Sequence, residues 1–99
     1  MQEKTIVNKI LKYLKSMDGC YCWKEHGGRY GTSGIPDIIC CYHGRFVAFE
    51  VKTDKGKTSK LQEIALCDIA KADGVAVVVR TVDEVKRVIN EMEDELNEC

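Results

Sequence analysis

The sequence lacks any apolar run that approaches the roughly 20 residues needed by a membrane-spanning helix. Its first residues, Met1 to Lys4, also lack the basic segment followed by an apolar stretch that begins a secretory leader. We therefore expect the protein to stay in the cytoplasm of the cell that makes it, such as a bacterial or phage-infected cell. With 99 residues the chain has little room for a second domain, so residues 1–99 are expected to form one domain.

Cysteine is frequent, but the six cysteines lack the Cys-x-x-Cys spacing of zinc knuckles. Two groups combine cysteine with histidine and are weak zinc candidates: Cys20, Cys22 and His26, and Cys40, Cys41 and His43. Neighbouring residues of a strand point to opposite faces, which separates Cys40 from Cys41. A disulfide framework requires an oxidising compartment, which the N-terminus does not indicate. We therefore expect reduced, mostly buried thiols.

Hydrophobic periodicity predicts an α/β protein with a mixed four-stranded sheet flanked by helices. A tight turn at His43-Gly44 joins the second and third strands, and the apolar fourth strand suits a buried position parallel to the third. The predicted elements are a helix over 3–16, strands over 20–24, 38–42 and 46–53, a helix over 60–72, a strand over 75–79, and a last helix that follows a capping box at Thr81 and Glu84.

Two charged residues interrupt the third predicted strand, which is otherwise apolar. Glu50 and Lys52 are two residues apart and therefore share one face of the strand. Asp37 stands at the start of the preceding strand, directly after Pro36, and a hairpin between the strands brings its carboxylate beside that of Glu50. The sequence thus predicts that two carboxylates and one lysine converge.

Adjacent carboxylates repel each other, so a partly buried pair needs a proton or a cation. Mg²⁺ commonly takes one or two protein carboxylates together with water and phosphate oxygens. Such an ion lowers the pKa of a bound water and stabilises negative charge on phosphate. The cluster therefore predicts a Mg²⁺ or Mn²⁺ site suited to phosphodiester hydrolysis.

The segments Gly34-Ile35-Pro36-Asp37 and Phe49-Glu50-Val51-Lys52 resemble the two halves of the PD-(D/E)xK nuclease motif. More narrowly, the chain resembles the virus-type replication-repair nuclease domain, VRR-NUC, through Glu3, Gln62 and the segment 74–85 as well. The resemblance spans nearly the whole chain. It implies a restriction-endonuclease-like αβββαβ core, here followed by a C-terminal helix.

The resemblance also implies roles for individual residues. Asp37, Glu50 and the backbone carbonyl of Val51 would bind the metal, and Lys52 would be catalytic. Gln62 would orient water or substrate, although Ser59 and Gln62 also have capping-box spacing. Glu3 would be an outer metal-site residue, although an acid near a helix N-terminus is also favoured by the helix macrodipole.

Charge is distributed unevenly along the chain, whose formal net charge is -1. Residues 1–19 sum to +2 and residues 20–60 to +3, whereas residues 83–99 sum to -5. The basic residues Arg45, Lys52, Lys55, Lys57 and Lys60 cluster around the candidate site and predict contacts with DNA phosphates there. The acidic tail is expected to stay away from DNA. The candidate DNA contacts are Arg29 and Tyr30 in the glycine-rich loop, and Lys55, Lys57 and Lys60 after the third strand.

These observations predict a metal-dependent DNA endonuclease. Small stand-alone members of the family are similar to junction-resolving enzymes, so the resemblance implies a homodimer that cuts branched DNA, such as four-way (Holliday) junctions, in DNA repair. Two symmetry-related sites can cut two strands. Two alternatives remain open: a restriction-like nuclease that cuts linear duplex, and a DNA-binding or assembly module that does not cleave.

Overall fold

The computed structural model describes residues 2–26 and 33–97, which form three helices and one four-stranded sheet. Arg29 and Tyr30, which the sequence predicts to contact DNA, lie outside these residues. The elements, in chain order, are α1 (Glu3–Lys15), β1 (Cys20–Lys24), β2 (Ile38–Tyr42), β3 (Arg45–Val51), α2 (Lys60–Lys71), β4 (Val75–Val79) and α3 (Val82–Asn97). The predicted αβββαβα order is confirmed. No helix among the described residues is long and apolar enough to cross a membrane.

The sheet has the order β1-β2-β3-β4 and is mixed, as predicted. β1, β2 and β3 pair antiparallel, and β4 runs parallel to β3, with α2 connecting the two. His43 and Gly44 join β2 to β3 with positive φ angles of 48° and 84°. Two successive positive φ values characterise a type I′ hairpin turn, which glycine adopts without steric cost.

One face of the sheet packs against α1 and α3 and forms the hydrophobic core. Ile10 and Leu14 of α1 and Ile89 of α3 are buried against sheet residues such as Phe49. The apolar residues of both helices recur at helical spacing, which gives each helix one stripe for the core. Val85 and Met92, which share the apolar stripe of α3 with Ile89, are also buried, and the helix extends through most of the acidic tail to Asn97.

Two predicted strand properties differ from the structure. β3 ends at Val51 rather than at Thr53. The Lys52 N–H still donates a hydrogen bond to the Val79 carbonyl, but the chain then turns at 54–55. β4 is parallel to β3 as expected, but among the described residues it is an edge strand in which only Val79 is fully buried. Its apolar composition therefore does not reflect burial on both sides.

Candidate functional site

Asp37 is held at the point where the chain enters β2. In the antiparallel register Ile38 lies opposite Phe49, which places Asp37 beside Glu50 at the neighbouring position. The backbone N–H of Val51 donates a hydrogen bond of 2.8 Å to Asp37 Oδ2. The Asp37 carboxylate is thus fixed against β3. The carboxylate of a simple turn residue would instead face the loop that precedes β2.

A glycine allows the segment before Asp37 to approach α2 closely. Gly34 has a φ of 82°, and a Cβ added there would stand 2.5 Å from the carbonyl oxygen of Leu61. Any side chain at this position would force the loop and the helix apart. Pro36, which follows, is fully buried. The Gly-Ile-Pro-Asp segment therefore has a packing reason for its glycine and its proline.

Glu50 is the only charged residue buried in the described part of the chain, with 1% of its surface exposed. Its Oε1 atom is buried and has no hydrogen-bond partner among the described residues. Burial raises the pKa of this carboxyl group to about 8, and the neighbouring Asp37 contributes to the increase. A buried carboxylate with an unpartnered oxygen costs folding free energy. Such a group is unusual in a folded protein unless a bound ligand or ion uses that oxygen.

Lys52 provides the positive charge nearest to this carboxylate. Its Nζ atom lies 3.6 Å from Glu50 Oε2, and only 13% of the side chain is exposed. The lysine lowers the pKa of Glu50 but does not offset the effect of burial. The structure thus brings Asp37, Glu50 and Lys52 together at one end of β3, as the two-residue spacing and the hairpin between β2 and β3 predicted.

Gln62 belongs both to the helix cap and to the charged cluster. Its backbone N–H donates to Ser59 Oγ over 3.2 Å, and its Oε1 accepts from the Ser59 N–H over 2.8 Å, which completes a capping box. Its Nε2 donates to Glu50 Oε2 over 3.4 Å. The side-chain oxygen of Gln62 therefore caps the helix, whereas its side-chain nitrogen contacts the charged cluster.

Glu3 stands in the first turn of α1, where an acid is favoured by the helix macrodipole. Its side chain is exposed and its charge acts on Glu50, whose pKa it raises. Glu3 therefore lies within electrostatic reach of the cluster, outside the group formed by Asp37, Glu50, Lys52 and Gln62.

The donor atoms at this site fit a hard divalent cation that retains several waters. Asp37 and Glu50 supply carboxylate oxygens, and Glu50 Oε1 is a buried oxygen that lacks a partner in the described structure. The N–H and C=O of one strand residue point to the same side, so the Val51 carbonyl faces the side on which its N–H meets Asp37. No group of three or more His, Cys, Asp or Glu side chains suited to a metal occurs among the described residues. This donor set suits Mg²⁺ better than zinc.

The basic residues divide between two ends of β3. Lys55 and Lys57 are exposed in the loop after Lys52, and Lys60 is exposed at the start of α2. Arg45, which the sequence placed with these residues, lies at the opposite end of β3 and forms an ion pair with Glu95. Arg45 is therefore separate from the site, because it begins the seven-residue strand whose other end carries Glu50.

Arg80 was not predicted to have a role, although it follows β4 directly. Its Nη1 atom donates to the carbonyl oxygens of Thr53 and Gly56 and so organises the loop that follows Lys52. Arg80 and Lys55 also line a cavity of about 450 Å³ beside the loop. The only sequence signal was a basic residue at the carboxyl end of an apolar strand, and that signal does not indicate which loop it contacts.

Comparison with known proteins identifies the fold. No protein-family model matches the sequence, and no curated protein matches it. A solved structure described as a VRR_NUC domain protein matches with a TM-score of 0.69 at 21% identity, over 91% of this chain and 86% of that one. Another, described as a VRR_NUC domain, matches with a TM-score of 0.74 at 21% identity, over 89% of this chain and 94% of that one. The chain therefore has the fold of VRR_NUC domains, and the α/β fold expected from the resemblance is confirmed.

Proposed function

We propose that the protein is a metal-dependent endonuclease that hydrolyses phosphodiester bonds in DNA. The observation that carries this proposal is the convergence of Asp37, buried Glu50 and Lys52 at one end of β3, with Glu50 Oε1 unpartnered in the described structure. The likeness to VRR_NUC domain structures supports it, because the motif lies within the same fold.

In this proposal, Asp37, Glu50 and the Val51 carbonyl hold Mg²⁺ or Mn²⁺, and Glu3 acts from outside the coordination shell. The bound ion would lower the pKa of water and neutralise charge on the phosphate oxygens. The Val51 N–H keeps Asp37 oriented. Glu50 would give up its proton when the cation binds, because burial and the neighbouring Asp37 raise its pKa by more than Lys52 lowers it.

Lys52 and Gln62 would act on the reacting groups themselves. The Lys52 ammonium donates hydrogen bonds from a largely enclosed position, which suits it to hold the attacking water or to stabilise charge that develops on the phosphate. Gln62 is fixed by its bond to Ser59, so its amide is preorganised to orient water or substrate.

The proposed substrate is branched DNA, such as a four-way junction, and the proposed active species is a homodimer. Exposed Lys55, Lys57 and Lys60 flank the cluster and would contact backbone phosphates. A two-fold dimer presents two equivalent sites, which is what paired cuts in two strands require. Branch selectivity rests on the family resemblance.

The test is cleavage of a labelled four-way junction and a linear duplex of matched sequence, with Mg²⁺, Mn²⁺ or EDTA. We expect metal-dependent cutting of the junction by the wild type, with at least a hundredfold loss in Lys52→Ala, Asp37→Asn and Glu50→Gln. Lys12→Ala, which removes an exposed lysine of α1, serves as the matched control and should keep full activity. Equal cutting of both substrates would favour a linear-duplex nuclease, and binding without cutting would favour a non-cleaving module.

A second measurement tests the metal site without relying on catalysis. Mg²⁺ or Mn²⁺ that binds the folded state alone should raise the melting temperature of the wild type. The rise should disappear in Asp37→Asn and persist in Asp54→Asn, which removes an exposed acid of the next loop. An equal rise in both variants would contradict metal binding at Asp37.

A further inference from the structure

The face of the sheet that carries the charged cluster also carries two exposed aromatic residues of β1. Side chains alternate along a strand, so Tyr21 and Trp23 point away from Cys22, which belongs to the core. Glu50 likewise points away from the core, because the residues on either side of it, Phe49 and Val51, are core residues. The aromatic residues and the proposed metal site therefore share one surface of the sheet.

The strand register places Trp23 close to Asp37. The Glu25 N–H donates to the Asp37 carbonyl oxygen over 2.8 Å, which continues the pairing of β1 with β2 and sets Glu25 opposite Asp37. Trp23 is two residues before Glu25 and is therefore the diagonal neighbour of Asp37 on the same face. Diagonal neighbours in an antiparallel pair have Cα atoms about 7–8 Å apart. Stacked bases follow each other at about 3.4 Å along a strand, so this separation corresponds to about two nucleotides.

The indole of Trp23 is held in one orientation although 43% of the residue is exposed. Its Nε1 atom donates to Glu25 Oε2 over 2.9 Å. Its ring centroid stands 5.9 Å from that of Tyr21, which is 73% exposed, with 55° between the ring planes. A side chain that is already fixed loses little conformational freedom when a ligand stacks on it. Trp23 is thus preorganised for contact with a flat ligand.

Charge around the aromatic pair favours an uncharged flat group over a phosphate. Glu25 places a carboxylate at the edge of the indole, which repels anions. The cations of this surface lie on its other side: Lys52 beside Glu50 at the end of β3, and exposed Lys60 at the start of α2. Lysines neutralise the phosphates of a bound strand, whereas aromatic rings stack on its bases, each of which has a π-face. The surface therefore combines a position for the DNA backbone with a position for a base.

A base can stack on Trp23 only when it stands outside the duplex stack. Inside a duplex both faces of a base are covered by its neighbours, and its removal from the stack costs a few kcal/mol. A base in a single strand, at a strand end or at a branch point is available without most of this cost. Stacking at Trp23 would therefore favour substrates in which a strand leaves the duplex beside the site.

We infer that Trp23 stacks on an unpaired nucleobase of the strand whose phosphate is held at the metal site, and that it thereby contributes to substrate selection. Tyr21 extends the stacking surface, and Glu25 fixes the indole through its hydrogen bond. This inference rests on the proposed function, because it requires that DNA binds at Asp37 and Glu50. Its test measures binding in EDTA and does not use cleavage.

The first experiment follows the fluorescence of Trp23, which is the only tryptophan in the chain. Single-stranded oligothymidine is titrated into the full-length protein in EDTA, in parallel with an abasic oligonucleotide of the same length and charge. Stacking should quench the emission with oligothymidine and leave it unchanged with the abasic strand. Fluorescence anisotropy of labelled oligothymidine measures binding independently. Binding without quenching, or equal quenching by both strands, would overturn the inference and leave the proposed function standing. Absence of DNA binding both in EDTA and in Mg²⁺ would overturn both.

The second experiment compares variants in the same anisotropy assay. Trp23→Ala should bind oligothymidine about tenfold more weakly than the wild type, since one stacked base is lost, and Trp23→Phe should recover most of the affinity. Leu96→Ala is the matched control, because Leu96 is exposed to a similar extent, 44%, but lies on α3. Circular dichroism should show the same fold in all four proteins.

Substrate preference gives a further measurement on these variants. The wild type should bind a duplex with a single-stranded overhang more tightly than a blunt duplex with the same number of phosphates, and Trp23→Ala should lose this preference. Equal affinity of the wild type and Trp23→Ala for oligothymidine, or the same overhang preference in both, would contradict a stacking role for Trp23.

Discussion

The side-chain amide of Gln62 joins the start of α2 to the buried carboxylate of Glu50. Its oxygen accepts from the Ser59 N–H, and its nitrogen lies 3.4 Å from Glu50 Oε2. The first turn of α2 and the charged cluster on β3 are therefore positioned relative to each other by one residue. A change at Gln62 should affect both helix stability and the chemistry of the site.

The two effects can be separated with Ser59→Ala as the matched variant. Loss of an N-cap costs about 1 kcal/mol of unfolding free energy, so Ser59→Ala and Gln62→Ala should be destabilised to a similar extent in denaturant titrations. Only Gln62→Ala removes the contact with Glu50, and its cleavage rate should fall about tenfold more, equal to about 1.4 kcal/mol. Equal cleavage rates for the two variants would restrict Gln62 to capping.

Glu50→Gln should stabilise the metal-free protein at high pH. The pKa of Glu50 is about 8 in the folded state against an ordinary 4.5, chiefly because of burial. Between these values the folded state holds a proton that the unfolded chain releases, so wild-type stability is complete below pH 4.5 and declines as the pH rises through 8. Glutamine carries no charge, and the variant should therefore gain more than about 1 kcal/mol over the wild type at pH 9.

Chemical denaturation in EDTA at pH 5 and pH 9 measures this difference. Glu91→Gln, which changes an exposed residue of α3, should show no such pH-dependent gain. If Glu50→Gln and the wild type lose stability equally between the two pH values, the buried carboxyl is not the group responsible.

Arg80→Ala should loosen the loop between β3 and α2. The guanidinium donates to two carbonyl oxygens of this loop, those of Thr53 and Gly56, and its removal leaves both without that partner. We expect faster tryptic cleavage at Lys55 and Lys57 and about tenfold slower DNA cutting. Arg87→Ala, which removes an exposed arginine from α3, should leave both rates unchanged. Unchanged proteolysis in Arg80→Ala would contradict the anchoring role.

Local patterns in the sequence determined most of the fold. Three local patterns predicted structure that depends mainly on residues close together in the chain. They are the helical spacing of apolar residues in α1 and α3, the turn at His43-Gly44, and the alternation of side chains along β3. The same alternation placed Glu50 and Lys52 on one face, and the hairpin brought Asp37 beside them. These site residues were predictable because the strands that carry them are adjacent in the chain.

Tertiary structure alone decided the remaining relationships. The apolar composition of β4 predicted burial, yet the strand lies at an edge of the sheet that the described residues form, since composition does not specify what stands beside a strand. Arg45 pairs with Glu95, about fifty residues away, instead of joining the site. The contacts of Arg80 with the loop after β3 likewise depend on how separate elements pack, which no local pattern encodes.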